Sequence, residues 1–160
     1  MTGLVDIVEV DANAAALLAA LHAASFCRPG DETWTVKSFA DVLGMTGTFC
    51  LLARRELESG SEPVGFAACR VAADDSELLS LGVIPGYRHA GTARALVVRS
   101  MEICRKAGAL TLTLEVATDN PSAKQLYESM GFAAIGRRPA YYRRLRDQRV
   151  DAITMRRQLG

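Results

Sequence analysis

Apolar and polar positions along the chain change period several times, and each change marks an element. Val5-Asp6-Ile7-Val8-Glu9-Val10 alternates at period two, as a half-buried strand does. Asp11 and Asn13 are candidate caps for the alanine- and leucine-rich helix that follows, which runs to about Ser25. Phe26-Cys27-Arg28-Pro29-Gly30-Asp31 reads as a loop. A second short helix is expected from Thr33 or Thr35, with Trp34, Phe39, Val42 and Leu43 on its apolar side. Strands are expected over 47–53, 64–71 and 77–83, with a polar hairpin loop over 56–62 and a turn at Asp74-Asp75. These connections are too short for crossovers, so the strands form an antiparallel meander.

From Gly91 the pattern turns helical. Ala93, Val97, Met101, Cys104 and Ala107 step by four, four, three and three, the stripe of an amphipathic helix packed on a sheet. Gly108 ends it, and Leu110-Thr111-Leu112-Thr113-Leu114-Glu115-Val116 is a strand. This strand–helix–strand unit makes 77–83 and 110–116 parallel neighbours, with a right-handed crossover expected. Asn120-Pro121 opens another helix, and Gly131 is placed to close it in the left-handed conformation. Strands over 132–135 and 150–155 complete the chain, with an arginine-rich loop between them. The order predicts a single mixed α/β domain over 1–160. Its central sheet is mostly antiparallel, with about seven strands and four helices.

The stretch from Leu78 to Leu96 stands out within this frame. An apolar strand breaks at Pro85-Gly86, and a helix begins after Gly91. The first N–H groups of a helix lack partners within it, and the helix dipole favours an anion there. Arg88-x-x-Gly91-x-Ala93 therefore suits a pyrophosphate, although an ordinary strand-to-helix connection has the same spacing. It is neither a Walker loop, because no Gly-Lys-Ser/Thr follows, nor the Gly-x-Gly-x-x-Gly dinucleotide fingerprint.

Composition narrows the class. The chain of 160 residues is 49% hydrophobic and 23% charged, with a net charge of +1. That excludes a disordered chain and gives no global attraction to nucleic acid or membrane. No apolar run approaches the ~20 residues that span a bilayer, and no signal peptide is evident, so a cytoplasmic protein is expected. Cys27, Cys50, Cys69 and Cys104 are far apart and there are only two histidines, so no metal site is expected and four free thiols are. His22 reads as a partly buried, hydrogen-bonded histidine.

Val83-x-Pro85-x-Tyr87-Arg88-x-x-Gly91-x-Ala93 and the order of elements resemble the GNAT superfamily of acyl-CoA-dependent N-acetyltransferases. Leu114-Glu115-Val116, Asn120 and Leu126-Tyr127-Glu128-Ser129-Met130-Gly131-Phe132 look like the bacterial ribosomal-protein-alanine N-acetyltransferases. Arg137-Arg138, Tyr141-Tyr142 and Asp151-Ala152-Ile153-x-Met155 continue the likeness. The resemblance implies a GNAT-like fold with acetyl-CoA as cosubstrate and a protein N-terminus, that of a small-subunit ribosomal protein, as acceptor. It assigns the backbone of Leu81, Gly82 and Val83 to the pantetheine arm. Arg88, His89, Ala90, Gly91, Thr92 and Ala93 fall to the pyrophosphate, and Asn120 to a further cofactor contact. Glu115 matches the general base and Tyr127 the general acid, while Trp34, Tyr141 and Tyr142 fall to the acceptor. The chain departs from the pattern at Ile84, at Ala90 and Thr92, and by one extra residue, Pro139 or Ala140.

The residues themselves permit this chemistry without compelling it. Acetyl transfer to an amine needs a proton acceptor for the amine and a proton donor for the departing sulfur. Glu115 lies on the Thr111/Thr113 face of its strand, opposite Leu112 and Leu114, where it serves either as the base or as an exposed strand carboxylate. Tyr127 is either the acid or a packed aromatic. The backbone N–H of Val83 is a candidate oxyanion donor. Arg137, Arg138, Arg143, Arg144, Arg146 and Arg149 form a solvated basic loop, or they attract the cofactor's 3′-phosphate or an acidic peptide or ribosomal surface. A small-molecule amine, a lysine side chain, and a non-catalytic CoA-binding role are the remaining alternatives.

Overall fold

The alternating stretch Val5–Val10 forms the edge strand β1 in the computed structural model, which describes residues 4–28 and 30–160. Met1, Thr2, Gly3 and Pro29, the last of them in the expected loop after the first helix, lie outside the described residues. The Asp11 carboxylate accepts from the Asn13 N–H at 2.9 Å and starts a short 3-10 turn, Ala12–Ala14. Helix α1, Ala15–Ser25, follows directly. Helix α2 is Val36–Leu43, and a reciprocal cap decides for Thr35 as its start. The Thr35 hydroxyl accepts from the Ser38 N–H at 3.1 Å, and the Ser38 hydroxyl accepts from the Thr35 N–H at 3.2 Å.

Strands β2, Thr48–Leu57, β3, Gly60–Ala72, and β4, Asp75–Val83, form the meander. The hairpin expected to loop over 56–62 is tighter. Both strands continue to a turn at Glu58 and Ser59, since exposed strand ends need no apolar alternation to pair. Helix α3, Thr92–Lys106, strand β5, Thr111–Ala117, and helix α4, Pro121–Ser129, come next. Val97, Met101 and Cys104 of the α3 stripe are buried, joined by Leu96 and Ser100, while Ala107 is exposed.

The last two strands, β6, Ala133–Arg143, and β7, Arg149–Gln158, leave little of the expected basic loop. β6 extends eight residues past Ile135. It lies at the far edge of the sheet with its side chains almost all exposed, so no hydrophobic alternation marked it.

The strand order is β1-β2-β3-β4-β5-β7-β6. Among the described residues only β4 and β5 pair in parallel, as expected from the strand–helix–strand unit, and the other neighbours are antiparallel. One core holds α3 and α4 side chains such as Leu96, Val97 and Tyr127 against Leu112, Leu114 and Met155. On the other face, Leu18, Leu21 and Phe39 of α1 and α2 pack on Cys50, Leu52, Phe66 and Ala68. Each fully buried leucine here contributes roughly 1.5–3 kcal/mol. No helix among the described residues is long and apolar enough to cross a membrane.

Candidate active site

The parallel strands part almost as soon as they meet. β4 pairs with β5 only from Asp75↔Thr111 to Leu78↔Leu114. On its other side β4 stays with β3, but Ser80 faces Ala68 while Leu78 faces Cys69, so Leu79 is an extra, bulged residue. A bulge bends its strand and sharpens the twist. It sits where β4 leaves β5, and the two edges beyond Leu78 and Leu114 open into a cleft.

The β4 lip is made of backbone. The Ile84 N–H donates to the Val64 carbonyl at 3.0 Å, on the β3 side. Strand alternation therefore turns the N–H groups of Val83 and Leu81 into the cleft. Gly82 is packed so closely that an added Cβ would lie 2.6 Å from Phe66 of β3 and 2.7 Å from Ser25 of α1. The Ser25 hydroxyl is buried there without a hydrogen-bond partner.

Beyond Val83 the chain turns through Pro85–Tyr87, and two left-handed residues, His89 (φ 62°) and Gly91 (φ 85°), lead into α3. No side chain caps the first turn of α3, and nothing lies within 4 Å of where a Gly91 Cβ would be. The N–H groups of Thr92, Ala93 and Arg94 thus face an open space suited to an anion. Arg88 holds this turn in place rather than extending outward. Its Nε donates to the Val83 carbonyl at 3.0 Å, and its Nη2 to the Ser25 carbonyl at the C-terminus of α1 at 2.6 Å. His89 and Ala90 are exposed on the same turn. Asn120 caps α4, its Oδ1 accepting from the Ala123 N–H at 3.3 Å, a bond that does not use its amide N–H groups.

Charged side chains make the β5 lip. Glu115 is the first outward residue after β5 leaves β4, and its side chain is 13% exposed. One carboxylate oxygen lies 2.6 Å from Arg138 Nε, and the other accepts from the Thr154 hydroxyl at 3.2 Å. The Tyr142 hydroxyl reaches the Glu115 backbone carbonyl at 3.4 Å. Burial pushes the Tyr142 hydroxyl up to about 12, with the Tyr141 and Glu115 charges adding to it. Tyr127 packs edge-on against Phe132, and burial, then Tyr142 and Cys69, raise its hydroxyl well above the ordinary tyrosine value. It therefore keeps its proton throughout the physiological range.

The extra residue before the tyrosines is absorbed as a bulge in β6. Arg138 faces Ala152 and Tyr142 faces Val150, so Pro139, Ala140 and Tyr141 stand against Asp151 alone. Asp151 organises them, accepting from the Ala140 N–H at 2.8 Å and from Arg137 Nε at 2.6 Å. The rings of Tyr141 and Tyr142 meet edge to face at 4.9 Å, Tyr141 exposed and Tyr142 half-buried.

Arg144 ties the loops around this lip together. It forks onto Asp119, in the β5–α4 loop, with two hydrogen bonds of 2.8 Å, and stacks over Tyr142. Asp31 of the α1–α2 loop lies 3.8 Å from it. Gly30 is pressed against the same corner, where an added Cβ would lie 2.6 Å from the Leu145 nitrogen.

Glu115, Tyr127 and Tyr142 are thus electrostatic neighbours, Tyr141 adjoins them, and Leu81, Val83 and the 88–93 turn line the opposing lip. The contacts of Trp34 are of another kind: its ring packs against His22 and Phe39. His22 Nδ1 accepts from the Trp34 backbone N–H at 3.3 Å, and burial lowers the imidazole to about 4, so it is a neutral core residue. The sequence did not single out Ser25, Thr154, the Leu79 bulge or the Arg144–Asp119 fork. Each depends on a partner at least nine positions away in the chain, and only the paired arginines and tyrosines hinted at a structured lip.

The sequence model of the acetyltransferase (GNAT) family matches residues 17–132. The "[Ribosomal protein bS18]-alanine N-acetyltransferase" of Escherichia coli is 34% identical over 122 residues, 76% of this chain and 78% of that protein. The "N-alpha-acetyltransferase RimI" of Mycobacterium tuberculosis is 34% identical over 135 residues, 82% of this chain and 79% of the relative. The crystal structure of the Escherichia coli ribosomal-protein-alanine N-acetyltransferase superposes with a TM-score of 0.84 at 27% identity, over 98% of this chain and 95% of that one. Arabidopsis thaliana NAA60 in complex with acetyl-CoA shares the fold alone, with a TM-score of 0.81 at 17% identity over 97% and 98% of the two chains. With a cleft lined by backbone donors on one lip and a carboxylate on the other, and with these likenesses along most of its length, the chain belongs to the GNAT family of N-acetyltransferases.

Proposed function

We propose that the protein moves an acetyl group from acetyl-CoA to the α-amine of a protein N-terminus, the N-terminal alanine of a small-subunit ribosomal protein being the acceptor. One observation carries the reading. Where β4 and β5 part, the free N–H groups of Leu81 and Val83 face a cleft whose other lip holds Glu115, with the protonated Tyr127 nearby. The names of the relatives support the acceptor.

In this reading the edge of Leu81, Gly82 and Val83 holds the pantetheine arm as an added strand would. The amides of the 88–93 turn hold the pyrophosphate, with Asn120 alongside, and Tyr141, Tyr142 and Trp34 bound the acceptor's path. The Val83 N–H donates to the carbonyl oxygen that gains negative charge. Glu115 takes the proton that the amine loses as its nitrogen bonds to the acetyl carbon. Tyr127 gives its phenolic proton to the sulfur as the carbon–sulfur bond breaks. Proton exchange with solvent then restores both side chains.

An α-amine suits so weak a base. Its ordinary pKa of about 7.7–8.0 leaves part of it neutral near pH 7, whereas a lysine at about 10.4 starts roughly three units, about 4 kcal/mol, further away. Acetyl-CoA is incubated with the enzyme and N-terminal peptides, lysine peptides or polyamines, and products are read by mass spectrometry. Acetylation of alanyl α-amines ahead of the rest is the expected result. Turnover of polyamines or lysine alone would overturn the acceptor, and saturable CoA binding with no acetylated amine would overturn the enzymatic role.

A further inference from the structure

We infer that the Arg138 guanidinium is a built-in competitor for the acceptor's ammonium, holding the Glu115 carboxylate until a cationic amine displaces it. The inference rests on the proposed role of Glu115 and adds a positioning residue that governs which amines reach it.

Arg138 comes to Glu115 from the far side of β7. Glu115 faces Thr154, whereas Arg138 faces Ala152, two positions along and one strand further out. With strands about 4.8 Å apart, the Arg138 and Glu115 side chains together span roughly 10 Å of sheet, over β7, to bring Nε within 2.6 Å of the carboxylate. Glu115 is 13% exposed, but the Arg138 side chain is 60% exposed on the edge strand, just before the Pro139–Tyr141 bulge. One partner is fixed and the other is free to leave. A pair so exposed on one side is held weakly.

The pair also has a second position ready. The guanidinium already lies over the Tyr141 ring, 5.4 Å from its centroid, and that ring is 47% exposed. An arginine swung off Glu115 therefore keeps a cation–π contact. The other oxygen of Glu115 is bound by a neutral hydroxyl, from Thr154, which does not compete for charge.

An α-amine near pH 7 arrives mainly as an ammonium, offering the same charge and donors as the guanidinium. It exchanges with Arg138, and its extra proton passes by way of the carboxylate to solvent, so that Glu115 is again ionised when the neutral nitrogen attacks. The acetylated product is an uncharged amide, so it cannot hold the place against the returning guanidinium. Arg138 thus selects for cationic acceptors and against retained product.

The test compares wild type with Arg138→Gln and Arg138→Lys. Acceptor KM and kcat are measured with whichever amine the wild type acetylates, and peptide affinity for the CoA-bound enzyme is measured by calorimetry. Arg138→Gln is expected to lower acceptor KM and Kd about three- to tenfold, with CoA affinity and melting temperature unchanged. Arg138→Lys should restore most of the wild-type values. In a Glu115→Gln background the Arg138→Gln effect on peptide affinity should vanish. An unchanged or raised acceptor KM and Kd in Arg138→Gln overturns the inference, as does an equal effect without the carboxylate. Calorimetry reads the exchange even if no amine is turned over, so a failure of the proposed reaction is distinguishable from a failure of Arg138.

Discussion

The two lips of the cleft are built from different material. On the β4 side the groups facing the opening are backbone amides: those of Leu81 and Val83 and the uncapped first turn of α3. On the β5 side they are side chains, with Glu115 under Arg138, Tyr142 under Arg144, and Arg144 forked onto Asp119. A backbone lip is indifferent to most substitutions, which is why Ala90 and Thr92 are acceptable beside Gly91. A side-chain lip is specified residue by residue. The difference matches the proposed roles, in which a constant donor meets the backbone and a protein-specific acceptor meets the side chains.

The largest effect should come from the side-chain lip. Tyr127→Phe is expected to lower kcat by about 10²- to 10⁴-fold, and Glu115→Gln by a smaller factor, both without loss of CoA affinity. Wild-type kcat in both variants would show that neither residue handles a proton.

The backbone lip should break only where its geometry is unusual. Gly91→Ala meets no neighbour, so its cost is the strain of a left-handed alanine, about 1–2 kcal/mol. Reorienting the α3 amides should weaken CoA binding by about tenfold, measured by calorimetry, with kcat at saturating donor little changed. A wild-type CoA affinity would mean that these amides do not hold the donor.

A smaller effect concerns the tie across the loops. Arg144 holds the Asp119 carboxyl below its ordinary range, chiefly through its hydrogen bonds. A depressed carboxylate pKa stabilises the fold above the unfolded value of about 3.9, and the gain is lost as pH falls through the lower folded value. Arg144→Gln should therefore cost about 1 kcal/mol at pH 7, a modest figure because the pair is partly exposed. The melting-temperature difference from wild type should shrink on acidification below about pH 4. A difference independent of pH would assign the effect to packing on Tyr142 instead.

Ser25 should matter least to stability. Its hydroxyl is buried without a partner, so Ser25→Ala removes no hydrogen bond and should shift unfolding free energy by less than about 0.5 kcal/mol. A clear loss of acceptor turnover at unchanged stability would place that hydroxyl in the site.

Much of the frame was legible because its signals are local. Period two marked β1, steps of three and four marked α3, and Asn120-Pro121 with Gly131 bracketed α4. The β4 lip could be read this way too, since its chemistry is that of a strand edge and a helix start. Most of β6 carries no such signal, because an exposed edge has no apolar alternation. Trp34, which the resemblance assigns to the acceptor, also packs on His22 and Phe39, where an indole finds apolar contacts.

The sequence by itself determined the order of elements, the parallel strand–helix–strand unit and the glycine-bearing turn before α3. These follow from backbone preferences and hydrophobic period, which act over one or two turns of chain. Tertiary structure alone decided that the bulge at Leu79 parts β4 from β5, that Arg88 clamps its own turn to α1, and that Arg138 lies on Glu115. Those contacts join residues 9 to 63 positions apart, and no local preference encodes a pairing register or the partner that an arginine will find.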